Sequence, residues 1–204
     1  VISGKNVKIG DFSFGNCTSL TNFEIINSGT IELGMNEFVN CSNLYQINIK
    51  SELNSDVKFG QNCFGGCNGL RIFNINGGNL IIKNDCFKSN ESLTHLFILK
   101  ANKIVIYDDQ FINSKSIQTI TLDSETETKL GNNCFSGSEK LEMFQLFSKG
   151  GITVNTKSFT KCKKLTFSSL NAGSNLTLSD KSFSESSIEK IELNGQDVTI
   201  CNDC

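Results

Sequence analysis

Nine cysteines and one histidine are the residues in this chain best suited to metal or nucleophilic chemistry. Cys201-Asn202-Asp203-Cys204 has the spacing of redox and zinc sites, but zinc needs two further ligands and no second C-x-x-C or His pair supplies them. Cys63 and Cys67 around Phe64 are explained by the register of a sequence repeat. His95 is the single imidazole, so His-based metal clusters are excluded and one candidate base of that type remains, outweighed by an ordinary surface role. Asp108 and Asp109 form a carboxylate pair at a turn, where a solvated corner accounts for them. No catalytic residue, metal or cofactor is therefore predicted, and the chain reads as a non-enzyme.

The cysteines are explained by the segments that carry them. Phe recurs at Phe14, Phe38, Phe64, Phe87, Phe111, Phe135, Phe159 and Phe183, with gaps of 24, 26, 23, 24, 24, 24 and 24 residues. Cys17, Cys41, Cys67 and Cys162 stand three places after that Phe, and Asn90, Ser114, Ser138 and Ser186 replace them in other units. Cys63, Cys86 and Cys134 immediately precede it, and Cys204 takes the same place in a ninth unit. Both columns accept small, partly buried side chains, which predicts free thiols in preference to a disulfide framework.

Each unit also carries an L-x-x-I-x-I element, as in Leu44, Ile47 and Ile49 or Leu141, Phe144 and Leu146. Side chains two apart share a face, so the closing alternation predicts a strand. After about five residues a second alternating pair follows, such as Ile31 with Leu33 and Ile152 with Val154, predicting a second short strand. Between these lies the Phe-bearing segment, for example Asp11 to Thr18, where three-to-four spacing predicts one helical or 3-10 turn. Lys50 to Asp56 is an insertion expected to loop out, and Ser168 interrupts an otherwise apolar column.

One unit cannot bury its apolar residues alone, whereas stacked units place each column against its counterpart about 4.8 Å away. The expected fold is a mainly β repeat solenoid, a right-handed superhelix with two short strands and one helical or 3-10 turn per repeat of about 24 residues. It spans residues 1–204 as one domain of eight full repeats, with partial repeats at both ends that suggest a segment of a longer array. Abundant Gly, Phe, Asn and Ser, with no Pro or Trp, suit short strands and tight turns.

At I-G-x-x-x-F-x-x-C-x-x-L-x-x-I-x-I the chain resembles the BspA-like class of leucine-rich repeats. The match is best from Ile9 to Ile25 and from Leu33 to Ile49. The resemblance implies an adhesion or protein-binding module at a cell surface or outside the cell, since the class is linked with adhesion to host proteins and cells. An intracellular, cytoplasmic scaffold is the alternative, and free thiols suit it. Sequons at Asn16, Asn40, Asn90 and Asn175 are no more than chance provides in so Asn- and Ser-rich a chain.

In such solenoids the x positions of L-x-x-I-x-I point outward from the parallel sheet. Ile72, His95, Phe97, Met143 and Phe167 occupy them, and Tyr45 and Arg71 stand just ahead on their strands. Exposed aromatic, Met and Arg side chains mark contact surfaces, which makes these seven the candidate binding face. A protein or glycan partner is expected, with end-to-end or lateral self-association as a further contact. A net charge of -2 with interspersed signs disfavours nucleic acid, and no apolar run is long enough to insert in a membrane.

Overall fold

The computed structural model describes residues 1–27, 29–83, 85–87 and 90–204. Sixteen strands form one continuous sheet whose pairings are parallel throughout the described residues. The chain is a parallel β-solenoid of about eight turns. Its first ladder runs through Ile2–Gly4, Asn22–Asn27, Gln46–Lys50, Ile72–Asn76, His95–Ile106, Thr119–Leu130, Met143–Ser148, Phe167–Ala172 and Lys190–Asn194. The second joins Val7–Ile9, Ile31–Leu33, Asp56–Phe59, Asn79–Ile82, the later halves of the two long strands, Gly151–Val154, Leu176–Leu178 and Val198–Ile200. The inserted loop narrows to residues 51–55, because Lys50 and Asp56 belong to the flanking strands.

The recurrent Phe residues stand in single file. Phe14 stacks on Phe38 at 5.5 Å, Phe38 on Phe64 at 5.5 Å and Phe64 on Phe87 at 5.1 Å. The file continues through Phe111, Phe135 and Phe159 to Phe183, with centroid separations of 4.7, 5.1, 5.3 and 5.0 Å. The apolar strand column is equally regular: Phe23, Ile47, Phe73, Leu96, Ile120 and Phe144 are register partners from rung to rung. Its next member, Ser168, is fully buried and its hydroxyl has no hydrogen-bond partner.

The expected helical or 3-10 turn is absent among the described residues. Residues two before and two after the Phe have positive φ, as at Asn36 (51°) and Asn40 (59°) or Lys157 (57°) and Lys161 (62°). A helix needs consecutive right-handed residues, so a left-handed one at every fourth place limits the segment to separate turns. Those turns pair between rungs instead: Asn36, Phe38 and Asn40 donate their N–H groups to the carbonyls of Gln61, Cys63 and Gly65 at 2.9, 2.9 and 3.0 Å. The backbone thus gains a third hydrogen-bonded ladder in place of a helix.

A second departure concerns the linker between the two strands. In the fourth and fifth units it is strand throughout, giving the twelve-residue strands His95–Ile106 and Thr119–Leu130. The bend is absorbed by Lys100, at φ 51°, and by register shifts on either side of Ser124. Ser124 is fully buried there, and its hydroxyl lies 2.9 Å from those of both Thr128 and Ser148, so the corner's buried polar groups satisfy one another.

Candidate binding face

Inter-strand register fixes which outward side chains meet. One outward row runs Gln46, Ile72, His95, Thr119, Met143, Phe167 and Lys190. The next runs Glu24, Asn48, Asn74, Phe97, Thr121, Gln145, Ser169 and Glu192. Tyr45 and Arg71 sit just before the first row on adjacent rungs, where the Arg71 N–H donates to the Tyr45 carbonyl at 2.9 Å.

The seven predicted residues therefore fall into two groups. Tyr45, Arg71, Ile72, His95 and Phe97 form one, with the His95 and Phe97 rings 5.7 Å apart. Met143 and Phe167, direct register partners, form the other, and the Lys190 ammonium lies 5.8 Å from the Phe167 ring centre. The rung carrying Thr119 and Thr121 separates them. Only Tyr45 at 49% and Met143 at 42% are strongly exposed; Arg71, Ile72, His95, Phe97 and Phe167 are half-buried among neighbouring outward side chains.

His95 is held by its predecessor. The Thr94 hydroxyl donates to the Arg71 carbonyl at 2.9 Å, and its oxygen lies 2.7 Å from His95 Nδ1. A hydroxyl has one proton to give, so in this arrangement Nδ1 donates, leaving Nε2 of a neutral ring as an acceptor. The pair orients the imidazole and does not activate Thr94, whose proton is engaged by the backbone.

Scanned against known families, the chain matches the BspA type leucine rich repeat region in six copies, over residues 1–105 and 81–204. The chain belongs to the BspA-type leucine-rich repeat family. No curated protein and no solved structure matches it. BspA-type repeats are typically surface-associated, and leucine-rich repeats generally mediate protein binding and are generally non-catalytic.

Backbone hydrogen bonding accounts for several of the buried cysteines of this BspA-type chain. All nine cysteines are free thiols. Cys41, Cys67 and Cys162 each donate to the spine Phe carbonyl of the preceding rung, Phe14, Phe38 and Phe135, at 3.0, 3.0 and 3.5 Å. In the other column Cys86 donates to the Lys83 carbonyl at 2.6 Å, and Ser158 does the same to Asn155 at 2.6 Å. At these two places Cys and Ser supply the same short donor. Burial pushes the Cys67, Cys86 and Cys162 thiols up to about 12. Among the described residues no group of three or more His, Cys, Asp and Glu is arranged to hold a metal, and no helix is long and apolar enough to cross a membrane.

Two features of this BspA-type chain lie outside the sequence expectation. The outward face is three rows wide, because most first-ladder strands continue at least one residue past the second aliphatic position. Ile26, Lys50, Asn76, Leu99, Phe147 and Asn171 lie in that third row. Phe147 is 47% exposed, more than any of the predicted face residues but Tyr45. Continuation of the I-x-I-x alternation was the available signal. The other feature is Glu37, which occupies the small-residue column before Phe38, fully buried with neither carboxylate oxygen hydrogen-bonded. Desolvation raises its pKa from 4.5 to about 7, the nearby Ser13 backbone opposing and Asp11 reinforcing the shift.

Proposed function

We propose that this chain is a non-catalytic adhesion module that binds a protein partner through the outward face of its parallel sheet, at a cell surface or outside the cell. Met143 beside Phe167 carries this reading. Two large apolar side chains on adjacent rungs, flanked by Lys190, form a contact of the kind that anchors protein interfaces. Tyr45, Arg71 and Ile72 with His95 and Phe97 form a second anchor across the threonine rung.

The purified domain, immobilised on beads, is expected to attach to intact cells and to lose that attachment after the cells are treated with protease. Met143→Ser with Phe167→Ser, and separately Phe97→Ser with Met143→Ser, are expected to reduce attachment at least about tenfold while leaving the circular dichroism melt intact. Undiminished attachment by both folded double variants overturns the reading.

The nine free thiols favour a second reading, a structural scaffold in the reducing cytoplasm. A glycan stain and a thiol titration in denaturant of protein from its native source separate the two: modified Asn16, Asn40 or Asn175 supports the surface, and bare asparagines with all nine thiols titrating support the scaffold.

A further inference from the structure

We propose that the second and third outward rows form a groove for an uncharged linear saccharide, a ligand class distinct from the proposed protein partner, at a location apart from the Met143 and Phe167 contact that shares only Phe97 with the second anchor. A depression of about 790 Å³ is bordered by Leu53, Asn76, Leu99, Gln145, Phe147 and Asn171. Across the shared residues Asn76 and Leu99 it continues into a second depression of about 460 Å³, where Asn48, Asn74 and Phe97 stand. The trough thus runs along the solenoid axis across successive rungs.

Besides charges of both signs in equal number, its lining offers amides, hydroxyls and apolar side chains. A pyranose ring presents C–H groups on its faces and hydroxyls around its edge, so it needs an apolar platform beside groups that both donate and accept. Phe147, 47% exposed, and Leu99, 37% exposed, supply the platform. Gln145, Asn76 and Thr121 supply mixed donors and acceptors around it. Asn171 is already oriented, donating to Ser169 Oγ at 3.0 Å and accepting from Asn194 Nδ2 at 2.6 Å.

Charge excludes the competing ligands. Glu24, Asp123 and Glu125 are balanced along the trough by Lys50, Lys100 and Lys149. Glu125 pairs with Lys149, and Asp123 accepts from the backbone N–H of Lys100 at 3.4 Å. A phosphate backbone or sulfated glycan meets no surplus of positive charge there. An extended peptide, in turn, needs free backbone partners, and the sheet's own groups are engaged between rungs. Rungs repeat at about 4.8 Å, so successive sugars of a linear chain, each advancing by roughly one ring, meet equivalent outward positions.

Isothermal titration of the whole domain with cellopentaose, chitopentaose and mannopentaose tests this, with a heparin oligosaccharide as the charged control. At least one neutral pentasaccharide is expected to bind in the micromolar to millimolar range, and heparin is not. Phe147→Ala is expected to weaken that binding about tenfold. Gln145→Ala should weaken it as well, while Met143→Ser with Phe167→Ser leaves it unchanged. Failure of all three neutral sugars to bind at millimolar concentration overturns the proposal, as does binding that survives both Phe147→Ala and Gln145→Ala in folded protein. Absence of sugar binding alongside intact, protease-sensitive cell attachment defeats this inference alone. Sugar binding by a domain whose attachment ignores the Met143, Phe167 and Phe97 changes defeats only the protein-contact reading.

Discussion

The Cys67 thiol donates to the Phe38 carbonyl 3.0 Å away on the preceding coil, joining the small-residue column to the aromatic file. Thiols used this way are buried donors, and burial also keeps them protonated. Cys41, Cys63, Cys67, Cys86, Cys134 and Cys162 are fully buried, Cys17 is half-buried, and Cys201 and Cys204 are exposed. Titration of the native protein with a chromogenic disulfide reagent is expected to show Cys201 and Cys204 reacting at once and Cys17 more slowly. The buried six should react only in denaturant. Rapid reaction of Cys67 or Cys162 in native protein contradicts the packing described.

Glu37 makes stability depend on pH in an unusual direction. Its folded pKa of about 7 lies above the ordinary 4.5, so between those values the folded chain holds a proton that the unfolded chain releases. Stability from this group is therefore complete below 4.5 and is lost as pH rises through 7, by about 3 kcal/mol in all. Glu37→Gln is expected to melt higher than the parent at about pH 8 and to close most of that gap at about pH 5. Equal pH dependence of the two proteins contradicts the assignment.

The solenoid was legible in the sequence because burial selects the same residue type at the same place in every coil. Phe38, Phe64 and Phe87 announce the stack, and Ile47 and Ile49 announce the strand. The turn geometry is not legible there, because three-to-four spacing of small and apolar residues fits a helical turn and successive separate turns alike, and handedness lies in φ, which spacing does not encode. Asn36, Asn40 and Asn133 hinted at it, while Lys157, Lys181 and Phe12 adopt the same left-handed state and masked the hint. The third outward row is not legible in the repeat pattern, because strand length is set by pairing with adjacent rungs. Phe147 is strand only by virtue of Asp123 and Asn171 on either side.

Ser168 lies in register between Phe144 and Ile191 with its hydroxyl buried and unpartnered. Removing that hydroxyl leaves no orphaned partner behind. Ser168→Ala is expected to stabilise the seventh unit by about 1 kcal/mol, raising the melting temperature by roughly 2–4 °C. A fall in melting temperature shows that the hydroxyl has a hydrogen-bonding role in solution.

Lys157 tests the turn geometry directly. Its φ of 57° is left-handed, a state in which an ordinary side chain crowds the following carbonyl at about 1–2 kcal/mol, whereas glycine enters it freely. Lys157 is exposed and Asn133 holds the equivalent place one coil earlier, so the backbone, not a packed side chain, determines what this position tolerates. The greater unfolded-state freedom of glycine offsets part of its gain, which leaves Lys157→Gly more stable by about 0.5–1 kcal/mol. Lys157→Val, branched at Cβ, is expected to lose more than about 1 kcal/mol, because the rung-to-rung bond from the residue-157 N–H to the Asp180 carbonyl (3.1 Å) holds the backbone in place. Urea denaturation of the three proteins measures both changes. In a helical or 3-10 turn the order reverses, since glycine is then the destabilising choice, so the sign of the Lys157→Gly effect separates the two geometries.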